Sequence, residues 1–396
     1  MTGPSKCLVC AGARLEPLID FGLVPQSGAF LTGAGDTAAR RALSFYYCSG
    51  CGFVGQHDSQ STTVDYTAIA RATKRQLPDY ADEAARPLQT QPDWRRGLVI
   101  EVGANDGTFL DLLAGNGHES RLAIEPSLAL SESCASRGHV VERRHLTSAA
   151  APVIRGRHGP AHAVVCRHTV EHVPDPLDLL RAMRLLLADD GLLFVEVPSV
   201  MPIIDRLWAF ELWDEHLSYF STYTLARLLH GAGFSVERQE TKAHRGSMNI
   251  LCWARKLASA APAPEPSDVD ATVQMCGRFA RRWNAYCSEA STRLDETSAA
   301  VYAVGASHPQ SNYLNFTGLG ARVTALVDDD PLKIGRYVPL PRPTRVVESS
   351  FLHERVDDAV VLLTGFGYPG WMAEIRRRLV SRRIRFIDPV EDLARY

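Results

Sequence analysis

The stretch Leu98 to Leu113, LVIEVGANDGTFLDLL, constrains this chain more than any other. An apolar run, Leu98 to Ile100, leads into a glycine-bearing turn with Glu101, Gly103, Asn105, Asp106 and Gly107. An amphipathic pattern then resumes at Phe109, Leu110, Leu112 and Leu113. Strand, tight turn, helix is the reading, and it is the opening unit of an open α/β sheet whose ligands gather at the carboxyl ends of the strands.

The charge of the turn points to the ligand. A loop that cradles phosphate aims backbone N–H groups at an anion, so carboxylates beside it are unfavourable. Here Glu101 and Asp106 both lie in the turn. They suit a ligand with a sulfonium, an amine and a neutral ribose, which describes S-adenosylmethionine (SAM) rather than a dinucleotide. The next strand-like run, Arg121 to Glu125, ends in a second acid placed to take ribose hydroxyls. Glu101, Gly103, Asn105, Gly107 and Glu125 are therefore the candidate cofactor residues.

The chain has 396 residues, too many for one ordinary domain. Its 45% hydrophobic content supports real cores, and a net charge of −2 gives no reason to expect nucleic acid or an anionic membrane as a partner. No apolar run reaches the roughly eighteen residues of a membrane span, and the N-terminus MTGPSKCLVC has no apolar leader, so a cytoplasmic protein is expected. Monomer and dimer both remain open.

Nine cysteines in such a chain are poor candidates for disulfides. Four of them form two CxxC knuckles, Cys7 with Cys10 and Cys48 with Cys51. Two knuckles can converge on one tetrahedral zinc that clips a small subdomain, and four thiolates leave no open position for chemistry. The remaining five read as buried small residues.

Four regions follow. Residues 1–60 form the zinc module, and 61–96 a helical lid or linker broken at Pro78 and Pro87, on which Tyr66 can face substrate. Residues 97–258 form the SAM-binding domain, with parallel strands at Leu98–Val102, Arg121–Glu125, Ala163–Cys166 and Leu192–Val197. After a Pro/Ala-rich linker, residues 270–396 restart the αβ pattern at Ala299–Gly305, Val323–Val327, Asp358–Leu363 and Ile384–Ile387 as a smaller Rossmann-like unit. Its first turn has Gly305 without further glycines, so no dinucleotide is assigned to it.

The run Trp213 to Phe220, WDEHLSYF, packs aromatics, acids and one histidine into eight positions. Histidine titrates near neutrality, and an adjacent carboxylate can fix its tautomer and raise its basicity, so His216 with Glu215 is the expected general base and its orienting partner. The loop after the third strand, RHTVEH, adds His168 on the cofactor side and His172 on the substrate side.

The order of motifs, CxxC…CxxC, EVGANDG, AIEPS, RHTVEHVPDP, EVPS, EHLSYF, HRGSMNI and a terminal unit with VDDDPLKIGRYVP, resembles the SAM-dependent C-methyltransferases of nucleotide-deoxysugar biosynthesis over nearly the entire chain. The resemblance implies a nucleotide-linked 4-keto-6-deoxy sugar as substrate, deprotonation by His216, attack of the enolate on the SAM methyl, and His172 near the sugar as oxyanion donor. It also implies that the terminal domain helps enclose the sugar, with Arg245 to Asn249 and Ser307 to Asn312 on that face. Tyr66, Trp213, Tyr219, Arg245 and Asn249 are the substrate candidates. Where the family carries a tyrosine three residues before the histidine, this chain has Trp213. Methyl transfer to nitrogen or oxygen, and a zinc-ribbon binding protein with an idle SAM fold, are the competing readings.

Overall fold

The computed structural model describes residues 5–57, 77–90, 94–244, 247–257, 263–266, 268–379 and 382–396. Tyr66 and Arg245 lie outside the described residues, as does most of the expected lid. Among the described residues no helix is long and apolar enough to cross a membrane.

Three sheets organise the chain. The first begins with β1 (Leu15–Pro25), β2 (Arg40–Cys48) and β3 (Val54–Gln56), an antiparallel meander that carries the second cysteine knuckle at its β2–β3 turn.

The central sheet has β4 (Val99–Val102), β5 (Arg121–Ile124), β6 (Val140–Glu142), β7 (Ala161–Arg167) and β8 (Leu187–Pro198), all parallel. The two-residue β9 (Ser218–Tyr219) leaves this domain and adds to β3 of the first sheet. β10 (Phe234–His244) and β11 (Ser247–Lys256) return as an antiparallel pair, and β11 runs antiparallel to β8. The order across the sheet is β10-β11-β8-β7-β4-β5-β6, the arrangement of class I methyltransferases. The expected all-parallel sheet is thus corrected to a mixed one. Its strands are apolar because helices cover both faces: Ile100, Leu122, Val164 and Val195 point into one core, while Val99, Ala123, Val165 and Phe194 point into the other.

The third sheet holds β12 (Ala300–Val304), β13 (Val323–Val327), β14 (Tyr337–Pro339), β15 (Pro343–Val347), β16 (Asp358–Leu362) and β17 (Arg383–Ile387). Its order is β14-β15-β13-β12-β16-β17, parallel except for β14. A 27-residue helix, Val269–Asp295, leads into it. That helix buries Cys276, Phe279, Trp283, Tyr286 and Leu294 at helical spacing, and these join Leu18, Phe45, Phe210, Tyr219 and Tyr313 in one core. The cysteine module, the segment after β8 and the terminal sheet therefore share their packing.

The helix before the central sheet runs Ala81–Gln89 with Pro87 inside it, so the expected break at Pro87 does not occur. Only two helical residues follow that proline, and the helix is tied down by Glu83 to Lys242 at 2.8 Å.

Candidate active site

The turn after β4 is built from backbone that only certain residues accept. Gly103 sits at φ +72°, and a Cβ there would lie 2.1 Å from Thr169 Oγ1; Gly107 sits at φ +84° against Cys134 and His139. Asn105, at φ +54°, is of a type that tolerates the left-handed region. Glu125 is buried at the end of β5, where Oε2 accepts the Asn105 N–H and Oε1 the Ser127 N–H, both at 2.9 Å. Each oxygen keeps a lone pair for a hydroxyl of a bound ligand. Glu101 is buried at the end of β4, directly beneath the turn. Glu101, Gly103, Asn105, Gly107 and Glu125 thus lie on or beside one strand-end turn, where the free acceptor capacity of Glu125 suits hydroxyl donors better than a phosphate.

At the ends of β7 and β8 lies a second polar cluster, only partly legible in the sequence. Glu196 is fully buried and accepts from Tyr80 Oη at 2.6 Å, Arg167 Nε at 2.6 Å and Asn249 Nδ2 at 3.2 Å. Burial opposes its charge, but His168 and Arg167 outweigh it and hold the carboxyl well below the usual range. His168 stands at φ +49°, a strained conformation for a residue with a Cβ, with Nδ1 at 3.5 Å from Glu171 and Nε2 at 3.4 Å from Glu196. Desolvation works against its protonation, yet the flanking carboxylates raise its pKa to about 9; the side chain keeps 38% of its surface exposed. Asn249, expected to face substrate, also donates to Tyr80 Oη at 2.6 Å and is buried in this network. Apolar strand patterning gave no signal for Glu196, because a carboxylate between valines reads as outward-facing.

The segment Trp213 to Phe220 sits beside these strand ends. His216 is buried, with its ring 4.6 Å from that of His172 and stacked on Trp213 at 4.8 Å; His308, at the start of the helix His308–Phe316, also stacks on Trp213, at 4.7 Å. Burial first, then His172, His168 and His308, press the His216 pKa well below its ordinary value, so the imidazole is neutral and its lone pair available. The carboxylate grouped with the two imidazoles is that of Glu171, whose oxygen and one nitrogen of each ring all lie within 4.8 Å of one another. Glu215 contributes its backbone carbonyl, which accepts from His172 Nδ1 at 2.9 Å. Tyr219, a substrate candidate, spends its hydroxyl on the Trp213 main chain, accepting the N–H at 2.7 Å and donating to the carbonyl at 3.1 Å. Asn312 of the terminal domain is likewise engaged, with Ser27 Oγ at 2.9 Å and with the carbonyls of Phe210 and Leu212.

The four knuckle cysteines come together away from these groups. Sγ atoms of Cys7 and Cys51 are 3.6 Å apart, as are those of Cys10 and Cys48, and all four lie within 4.8 Å of one another. Four sulfurs at zinc-bond length from one centre stand about 3.8 Å apart. The spacing fits a tetrahedral cation and is far too long for a disulfide.

Residues 69–239 match the model of a methyltransferase domain. The chain is 28% identical over 308 residues to C-methyltransferase NovU of Streptomyces niveus, covering 74% of this chain and 72% of that protein. Solved structures with some likeness include the CcbJ methyltransferase of Streptomyces caelestis, 16% identical, TM-score 0.37, covering 46% of this chain and 91% of that one. Another is magnesium protoporphyrin IX methyltransferase of Synechocystis with bound SAM, 15% identical, TM-score 0.34, covering 44% and 77%. The fold assignment rests on the strand order and not on these scores. With a methyltransferase-domain match over residues 69–239 and the strand order of class I methyltransferases, the chain is a SAM-dependent methyltransferase.

Proposed function

We propose that the chain transfers the SAM methyl group to the carbon alpha to a ketone in a nucleotide-linked keto-deoxysugar. The observation that carries this reading is the buried, neutral His216 beside His172 at the strand ends that also carry the cofactor turn. Support comes as well from the likeness to a protein named as a C-methyltransferase.

In this reading Gly103 and Asn105 shape the floor for SAM, Glu101 faces its charged end, and Glu125 takes the ribose hydroxyls. His216 removes the proton next to the carbonyl, and the electron pair moves to the carbonyl oxygen. His172, its Nδ1–H fixed on Glu215 O, stabilises that oxygen by donating from Nε2 as the imidazolium, the form in which both ring nitrogens carry protons. The resulting carbon nucleophile attacks the methyl group held on the sulfonium, which leaves as the thioether. Holding both reactants in line supplies much of the remaining acceleration. Cys7, Cys10, Cys48 and Cys51 hold a structural zinc in this reading, expected at one ion per chain by elemental analysis and lost in Cys48→Ser.

The test is isotope exchange. A thymidine diphosphate-linked 4-keto-6-deoxyhexose, incubated with the enzyme in deuterated water without SAM, should acquire deuterium alpha to the ketone. With SAM added, the product should carry a new carbon–methyl bond. No exchange, or a methyl group found on oxygen or nitrogen, overturns the reading.

A further inference from the structure

Glu171 is the group that the mechanism above leaves without a task. It sits in the short turn Val170–His172, 1% exposed. Neither carboxylate oxygen has a hydrogen-bond partner among the described residues, and its ionic neighbour there is His168 Nδ1 at 3.5 Å. The protonated His168 offsets part of the cost of burying this carboxylate, and both oxygens keep acceptor capacity for a second cation. Its turn is also stitched to the catalytic segment on both sides: Leu217 N–H donates to the Glu171 carbonyl at 2.8 Å, and His172 Nδ1 donates to the Glu215 carbonyl at 2.9 Å. These bonds hold the carboxylate within 4.8 Å of the His216 and His172 ring nitrogens.

We propose that Glu171 is a positioning residue that balances the charge on His216 once that imidazole has taken the substrate proton. This rests on the reading of His216 as base. The C–H bond breaks, its electron pair becomes the enolate, and the proton bonds to a ring nitrogen of His216, creating an imidazolium opposite the carboxylate. Nothing is oxidised or reduced. After methyl transfer the proton passes from His216 to water.

The need for such a partner follows from the surroundings. His216 is faced by His172 from the same turn as Glu171, by His168 from the end of β7, by His308 from the terminal domain and by Tyr219 from β9. None of these carries negative charge at neutral pH, and His168 is held protonated. A base so placed is weak in the resting enzyme, and it can take a proton from carbon only if the cation it becomes is stabilised on the spot.

The test compares Glu171→Gln, Glu171→Asp and His216→Asn in the full-length zinc-loaded protein. Readouts are deuterium exchange into the thymidine diphosphate keto-sugar across pH, the titration of labelled histidine resonances by NMR, SAM affinity by calorimetry and melting temperature. Glu171→Gln should slow exchange about 10- to 100-fold, the span of a charge-assisted hydrogen bond. It should also move the His216 titration to lower pH while leaving SAM affinity intact, and Glu171→Asp should restore part of the rate. Unchanged exchange and titration in a folded Glu171→Gln protein overturn the proposal. So does a manganese or zinc ion, beyond the one at the cysteines, that binds wild type and not Glu171→Gln, because the carboxylate is then a metal ligand. If His216→Asn stops exchange but Glu171→Gln does not, this inference alone falls. If His216→Asn leaves exchange intact, the reading of the base falls, and Glu171 with it.

Discussion

The central and terminal sheets place an acid at the same topological point, the end of the strand beside the first βα turn, and use it in opposite ways. In the central sheet Glu125 accepts two backbone N–H groups of its own turn and retains acceptor capacity. In the terminal sheet Asp328 accepts the Ala306 N–H at 2.9 Å and the Asp330 N–H at 3.0 Å, and in addition pairs with Lys333 Nζ at 3.0 Å. One carboxylate keeps acceptor capacity without a side-chain cation in these bonds; the other is paired with a lysine five residues along its own chain. The same architecture thus becomes a ligand site or a structural support according to whether the protein supplies its own counter-charge.

The comparison can be broken at several points. His216→Ala should show the largest effect, a loss of turnover of about 10³-fold with SAM affinity unchanged, since the base acts on substrate. Retained activity with weakened SAM binding would move His216 to the cofactor side. Glu125→Ala should weaken SAM binding about 10- to 100-fold by calorimetry, through lost hydrogen bonds to a charged acceptor. Gly103→Ala should weaken it by a similar or smaller factor, because its Cβ meets Thr169 and its φ is positive. The pH profile sharpens the contrast further. A base works only when unprotonated, and burial lowers the His216 pKa, so kcat/KM should stay flat downward through pH ~6.5 and fall only below it. A limb centred at or above that value would show that another group titrates. Asp328→Asn should matter least: a drop of a few degrees in Tm, and no change in SAM affinity.

The residues that announced themselves in the sequence are those whose local pattern carries the information. The β4 turn, the paired cysteines and the apolar strands of both α/β sheets belong to this class, because each depends on neighbours a few positions away. What escaped depends on distant pairing. The β10–β11 hairpin has an exposed, charged outer strand with little apolar alternation, so its sequence carries little sign of the antiparallel edge. Strand β9 is two residues long and finds its partner more than 160 positions earlier. Glu171 and Glu196 looked like loop and strand-end acids, yet both are buried, because the opposing charges arrive from His168 and Arg167 only after folding. The contact between the Glu215 main-chain carbonyl and His172 Nδ1 likewise joins two segments more than 40 positions apart, and nothing in either local pattern announces it.

Strand β9 begins two residues after His216 and pairs with β3, which pairs with β2, which ends at Cys48. A continuous ladder of main-chain bonds therefore ties the thiol cluster to the imidazole. With zinc at the thiols as proposed, a chelator need not reach His216 to silence the enzyme: stripping the metal would slacken the ladder from its far end, and the kinetic signature would be slow, substrate-independent inactivation rather than competition.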